Sequence, residues 1–337
     1  MKFLIIRLSS IGDILLTTPV VRCLKKQLPG LQLHYLTKPF FTPVLAGNPY
    51  IDQIHLYQND GVEVFNELKK ENFDYVIDLQ HDDETKRIKS ELKFPALSYN
   101  PLRIEKFIFK KLKWNVMPKN VHVVDRYMNA VSGFGVDNDG AGLDYFIPDR
   151  ERVTEKDIPA SHHSGYIGLV IGASFYTKKL PAYKLQELCR KIDHPIILLG
   201  AKKEYPEGYD ISSFDPVKVY NACGKFSLDE SADLLQRSKL VIAHDTGLMH
   251  IAAALKKQII VIWGSTTPSF GMVPYYGKIY LASHPNPFDN VQVHKLWCRP
   301  CTDTGRDQCP QGHFKCMKKI SIDEIVAKVN MRLGRGV

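Results

Sequence analysis

Two rhythms of hydrophobic and polar residues alternate along the first half of the chain. Residues 3–7 (FLIIR) form an apolar run, the pattern of a buried parallel strand, and apolar positions then recur at helical spacing from Ile14 to Leu28. Further strand-like runs stand at residues 31–37, 51–57, 74–80 and 95–100. Between them, residues 39–47, 62–71 and 83–92 read as helices or helix-like connections, and a helical pattern over 122–135 is ended by Gly133 and Gly135. This order predicts an α/β domain with a mostly parallel sheet and right-handed crossovers.

From 137 to about 165 the periodicity fades into a polar, Pro- and Gly-bearing stretch, the best linker in the sequence. The alternation then restarts. Strands are expected at 166–172, 195–200, 217–223, 239–245 and 258–264, and helices at 182–192, 228–236 and 248–255. Ser321 and Glu324 have capping-box spacing at the head of a terminal helix. The expected organisation is a first domain over 1–150, a linker over 151–165 and a second domain over 166–337 that carries a Cys-rich segment at 294–317. Doubly wound domains place ligands at the carboxyl ends of their strands, often facing one another across a cleft.

The 337 residues suffice for two cores, and 44% hydrophobic with 24% charged residues is a globular composition. No apolar run reaches the roughly 20 residues of a membrane span, which makes a cytoplasmic location the expectation. Cys23, Cys189 and Cys223 lie in apolar segments and read as buried reduced thiols. The net charge of +9 favours anionic partners. It is concentrated at residues 103–114 (RIEKFIFKKLKW), where Arg103, Lys106, Lys110, Lys111 and Lys113 interleave with Ile104, Phe107, Ile108, Leu112 and Trp114. Such a helix either packs on the core with a solvated basic face, or meets an anionic membrane surface or acceptor.

Three turns after second-half strands carry phosphate chemistry. Residues 172–181 (GASFYTKKLP) offer small residues, the hydroxyls of Ser174 and Thr177, and Lys178 with Lys179. Residues 244–250 (HDTGLMH) put Asp245, Thr246 and Gly247 at a helix N-terminus, as a cap, an anion site or both. Residues 200–205 (GAKKEY) include Glu204, an acceptor for a ribose diol. Together the turns predict a nucleotide site. The first-half turn holds one glycine, Gly12, followed by Asp13, where a phosphate would otherwise sit. With the diphosphate bound by the second half, Asp13 is free to act as a general base, the alternative being a simple N-terminal helix charge.

These motifs, together with residues 48–54 (NPYIDQI), 198–204 (LLGAKKE), 224–255 and 260–268 (IVIWGSTTP), resemble glycosyltransferase family 9, which contains the ADP-heptose:lipopolysaccharide heptosyltransferases. The resemblance covers nearly the whole chain. It implies a GT-B fold of two Rossmann-like domains facing a central cleft, and inverting transfer without a catalytic metal. The family's base matches Asp13, in a turn with Ser10 and Gly12, and its phosphate-binding lysine matches Lys178, with Lys179 adjacent and Leu180 where the family usually has Trp. Glu204 matches the ribose ligand, Phe226 the adenine contact, Asp245 the sugar-hydroxyl ligand, and Thr246, Gly247 and Leu248 the diphosphate contacts. His250 completes the D-T-G-x-x-H pattern, as a ligand contact or as helix packing.

The donor expected from the resemblance is a nucleoside-diphosphate sugar, ADP-heptose first, with another glycosyl donor or a GT-B binding protein of altered activity as the alternative. The acceptor expected is lipid-linked or oligosaccharide, with peripheral contact to an anionic membrane surface. By position, Ser10, Gly12, His81, Asp82, Arg87, Arg103 and Lys106 are the residues to meet it. Cys298, Cys301, Cys309 and Cys316, with His294 and His313 nearby, suggest structural zinc, reduced or disulfide-linked structural cysteines, or a redox or catalytic role. A nucleic-acid-binding reading lacks a basic run around those cysteines. A dinucleotide oxidoreductase would need G-x-G-x-x-G, which no turn supplies.

Overall fold

The structure, a computed structural model, describes residues 1–58 and 61–334; residues 335–337 of the expected second domain lie outside them. The chain divides into two compact units, one of residues 1–103, 120–146 and 277–280, the other of 104–119, 147–276 and 281–337.

The first unit is built on β1 (Lys2–Ile6), β2 (Gln32–Thr37), β3 (Gln53–Leu56), β4 (Tyr75–Asp78) and β5 (Ala96–Ser98), all parallel in the order β3-β2-β1-β4-β5. Its helices are α1 (Ile11–Leu15), α2 (Thr18–Gln27), α3 (Val62–Lys70) and α4 (Asp83–Leu92), while Pro39–Val44 form a 3-10 helix. Helix starts follow local chemistry. Pro19 opens α2, where its missing N–H costs nothing, and the Asp82 carboxylate caps α4 by accepting the Thr85 N–H at 3.0 Å. Leu4, Ile6, Leu36, Val76, Leu68 and Ile88 are buried in one core cluster, each contributing about 1.5–3 kcal/mol of transfer free energy. The register pairs Ile6 with both Leu36 and Asp78. The strand order therefore reverses between β1 and β4, and the turns after those two strands are neighbours.

Helix α5 (Arg103–Leu112) follows β5, and α6 (Val123–Asn129) returns to the first unit. From Ile104 onward α5 groups with the second unit, unlike the expected 1–150 division. Its apolar residues do not pack into a core, since no residue of α5 is buried.

The second unit holds β6 (Ile167–Val170), β7 (Ile196–Leu199), β8 (Val219–Asn221), β9 (Leu240–His244), β10 (Ile259–Trp263) and β11 (Phe288–Gln292), parallel in the order β11-β10-β9-β6-β7-β8. The helices among them are α7 (Ala182–Lys191), α8 (Tyr205–Ser212), α9 (Leu228–Arg237) and α10 (Gly247–Ala254); α11 (Lys278–Ser283) begins in residues grouped with the first unit, and α12 (Lys315–Lys318) and α13 (Ile322–Arg332) close the described chain. The core includes Ile167, Leu169, Leu185, Leu198, Ile242, Ile262 and, from α13, Ile325 and Val329. Here the strand order reverses between β6 and β9.

Residues 151–165, expected as a linker, pack as a strap on the second unit. Val153 and Ile158 are buried, Arg152 pairs with Asp233 at 2.7 Å, and the His162 ring meets the Ile196 carbonyl at 3.1 Å. Polar and Pro-rich composition marks an irregular backbone here, not a free one. Cys23, Cys189 and Cys223 are buried free thiols, and burial pushes the last two up to about 12.

Candidate active site

In the first unit the site grows from the turn between β1 and α1. Asp13 stands in the first turn of α1, where its Oδ2 accepts the Ser10 hydroxyl at 2.9 Å. Its Oδ1 lies 2.9 Å from the guanidinium of Arg7, which sequence reasoning did not single out. Arg7 is buried at the end of β1 and donates to the carbonyls of Ser9 at 2.7 Å and Leu79 at 2.6 Å. Burial opposes its charge, but Asp13, followed by Tyr127, Tyr99 and Tyr35, outweighs burial and raises the Arg7 pKa. The result is a carboxylate fixed in orientation by a cation, a hydroxyl and a helix N-terminus.

The neighbouring turn, after β4, is tied to this one. The Gln80 side chain accepts the Leu8 N–H at 2.9 Å and donates to Asp82 at 2.6 Å. Buried Asp78 accepts the N–H groups of Gln80 and His81, at 3.0 and 2.7 Å, and pairs with Lys89 at 2.7 Å. His81 turns its Nδ1 to the Tyr99 carbonyl at 2.9 Å, and Arg103 donates to the His81 carbonyl. Ser10, Asp82, His81 and Arg103 thus belong to one network with Asp13, whereas Arg87 is exposed on α4. Gly12 is buried in α1. Lys106 is drawn instead to Asp303, 4.0 Å away in the second unit.

In the second unit the turns after β6 and β9 meet at the reversal point. Lys178 Nζ lies 2.8 Å from Asp245 Oδ2, with both side chains largely buried. The Thr266 hydroxyl, on the turn after β10, donates to the same oxygen at 2.9 Å. Thr246 is the residue before α10 and makes no side-chain cap; its hydroxyl is buried with no hydrogen-bond partner among the described residues. The first N–H groups of α10, those of Gly247 and Leu248 among them, have no carbonyl within the helix to bond. An ammonium, an orphaned hydroxyl and a helix N-terminus therefore share one strand-end crevice, which suits a diphosphate.

Glu204 is buried and accepts the Ala201 N–H at 3.1 Å. Lys179 approaches it at 3.6 Å while bonding Glu207. Gly200 makes this possible, because a Cβ there would lie 3.0 Å from that of Glu204 and 3.1 Å from the Cys223 sulfur. Phe226 is half-buried in the turn between β8 and α9, and Ser174 is exposed. Thr177 departs from its expected role as a donor-binding hydroxyl. Its side chain is buried, taking the Ser265 hydroxyl at 2.9 Å and the Arg306 N–H at 2.8 Å. His250 is buried in α10, and Leu180, in the place expected of a tryptophan, is fully buried. His244 accepts the Leu180 N–H at 2.9 Å, and burial, helped by Lys179, pushes it down to about 3.

The Cys-rich segment braces this crevice. Arg299 donates to the carbonyl of Gly264 at 2.7 Å and to that of Thr266 at 2.7 and 3.0 Å, and burial lowers its pKa to about 10. The Cys301 N–H donates to the Ser265 carbonyl at 3.1 Å. Nothing in the local sequence around Arg299 signals this role. Among the described residues no group of three or more His, Cys, Asp or Glu side chains is arranged to hold a metal ion. Burial also raises the Cys301 and Cys316 thiols, the latter to about 12. All four cysteines are free thiols in this structure.

The chain matches the family profile described as glycosyltransferase family 9 (heptosyltransferase) over residues 62–287. It is 27% identical over 299 residues to lipopolysaccharide heptosyltransferase 1 of Campylobacter coli, covering 80% of this chain and 85% of that protein. Among solved structures, Escherichia coli ADP-heptose lipopolysaccharide heptosyltransferase II superposes with a TM-score of 0.72 at 17% identity, over 99% of this chain and 98% of the other. E. coli heptosyltransferase WaaC with ADP does so with a TM-score of 0.67 at 19% identity, over 98% and 100%. The structural likenesses establish the expected GT-B fold.

Proposed function

We propose, from the premise that this chain belongs to glycosyltransferase family 9, that it transfers heptose from ADP-heptose to a lipopolysaccharide core or similar surface-glycan acceptor. The named relatives act on that donor and acceptor class. The observation in this chain that supports the reading is the crevice of Lys178, Asp245, the orphaned Thr246 hydroxyl and the α10 N-terminus.

In this reading Asp13 takes the proton of an acceptor hydroxyl, whose oxygen attacks the anomeric carbon from the side opposite the diphosphate. The bond to the diphosphate oxygen breaks, the configuration inverts, and ADP leaves. Lys178 and the α10 N–H groups meet the charge that develops on the leaving group, in place of a metal ion. Asp245 holds sugar hydroxyls and Glu204 the ribose. The enzyme acts in the cytoplasm on a lipid-linked acceptor, in peripheral contact with the membrane.

Calorimetry against ADP, UDP, GDP, CMP and NAD tests the donor site, followed by transfer assays with ADP-heptose. Selective ADP binding and heptose transfer are expected. Failure to bind any nucleotide would overturn the reading, and preference for another diphosphate would replace the donor sugar while keeping the mechanism.

A further inference from the structure

We propose that the outward face of α5, the residues just after it and the Trp297 loop dock onto an anionic lipid bilayer surface. The inference rests on the lipid-linked acceptor of the reading above and names the surface by which the enzyme reaches it.

Helix α5 has its faces reversed relative to an ordinary core helix. The side facing the second unit is held by Lys110, 2.8 Å from Asp303, by Lys106 at 4.0 Å, and by Phe109 against Phe270 at 5.7 Å. Just past the helix, Lys113 donates to the carbonyls of Cys298 and Pro300 at 3.2 and 2.8 Å. The side facing away carries the apolar residues. Ile104 is 73% exposed, Phe107 58%, Leu112 64% and Trp114 71%, with Trp297 at 67%. Phe107, Lys111, Trp297 and Arg306 line one open pocket of about 370 Å³. So many large apolar side chains exposed on one short segment mark an interaction face.

Charge selects the occupant. Residues 103–119 hold six cations against Glu105 alone; Arg103, Lys106, Lys110 and Lys113 are bound on the protein side, while Lys111 and Lys119 are exposed beside the apolar tips. Bulky aromatic and aliphatic tips flanked by lysines match the boundary between acyl chains and anionic headgroups, where tryptophan also prefers to sit. A second copy would bring like charges together, and a nucleic acid would leave Ile104 and Leu112 without a partner.

The test is sedimentation of the full chain with vesicles of phosphatidylglycerol and phosphatidylcholine, or of phosphatidylcholine alone, at about 0.1 M salt. The expected result is binding to the anionic vesicles only, with a blue shift of tryptophan emission. The Phe107→Ser/Leu112→Ser/Trp114→Ser variant should bind at least about tenfold more weakly, and Lys111→Glu at least about fivefold. Val217→Ser, at another exposed apolar residue, should bind like the wild type. Calorimetry with ADP on the same samples reads the donor site independently, so loss of one activity is not mistaken for loss of the other. Wild-type protein that stays in the supernatant, or a triple variant that sediments like it, overturns the proposal. A concentration-dependent dimer abolished by the triple substitution, without vesicle binding, overturns it in favour of a second copy.

Discussion

Lys178 Nζ lies 2.8 Å from Asp245 Oδ2, the same oxygen that accepts the Thr266 hydroxyl at 2.9 Å. The lysine stands beside the N-terminus of α10, the end of the helix that attracts anions. The proposed diphosphate would compete with Asp245 for this ammonium. In the proposed reading Asp245 keeps the lysine oriented before the donor arrives, and turns to sugar hydroxyls once the phosphate takes its place. Lys178→Ala should weaken ADP binding by about 1.5–3 kcal/mol, the range for a hydrogen bond to a charged group. Calorimetry checks this; an unchanged dissociation constant would remove Lys178 from the donor site.

Asp13→Asn separates chemistry from binding. It removes the proposed base, so kcat should fall by about 10²–10⁴-fold while ADP affinity stays put. Arg7 keeps its bonds to the Ser9 and Leu79 carbonyls, which limits the stability loss to about 1–2 kcal/mol in a partly exposed pair. Single-turnover kinetics together with thermal denaturation measure both. Wild-type turnover in this variant would leave Asp13 as a helix charge only.

Arg299→Lys should loosen the turn after β10. A guanidinium spans the Gly264 and Thr266 carbonyls, and an ammonium is a point charge that does not. Gly264 shows how tightly this turn is packed, since a Cβ there would lie 2.4 Å from the Thr177 carbonyl oxygen. The expected outcome is a loss of about 2–3 kcal/mol in urea denaturation and weaker ADP binding, with Thr266 no longer fixed against Asp245. Unaltered stability would show that the turn holds itself.

Acid should destabilise the fold in two windows. Burial lowers the folded pKa of His34, His162 and His244, the last to about 3. The unfolded chain takes up these protons first, so the stability is complete above about pH 6.5 and is lost as pH falls below it. His244 alone contributes a slope of about 1.4 kcal/mol per pH unit down to pH 3. Asp139, lowered to about 2 chiefly by its hydrogen bond to Arg22, adds its loss only below about pH 4. Melting temperatures across about pH 3–8 for the wild type and His244→Gln test this; identical slopes would count against it.

Legibility followed physical locality. The strand and helix pattern, the Ser321 cap of α13 on the Glu324 N–H and the order of the three phosphate-type turns are consequences of side-chain period and short-range hydrogen bonding. Helix α8 escapes a periodic reading because Pro206 and Gly208 interrupt it; the proline is tolerated in the first turn, and the glycine admits the Asn221 side chain, which would lie 2.4 Å from a Cβ. Strand β11, with Asp289 and Asn290 in its middle, lacks the apolar run of an inner strand because it is the sheet edge. Thr177 was legible as a hydroxyl near a phosphate turn, but its direction was not. Ser265 and Arg306, 88 and 129 residues further along, decide it.

The sequence by itself determined two parallel α/β units, the motifs of a glycosyltransferase and the position of Asp13 at a helix start, because each is written in local period, composition and turn chemistry. Tertiary structure alone decided that Arg7 orients Asp13, that Arg299 and the Cys-rich segment brace the donor crevice, and that α5 turns its apolar face outward. Those outcomes depend on which strands lie side by side and on which buried charge finds which carbonyl. Such pairings join residues far apart in the chain, and no single segment carries them.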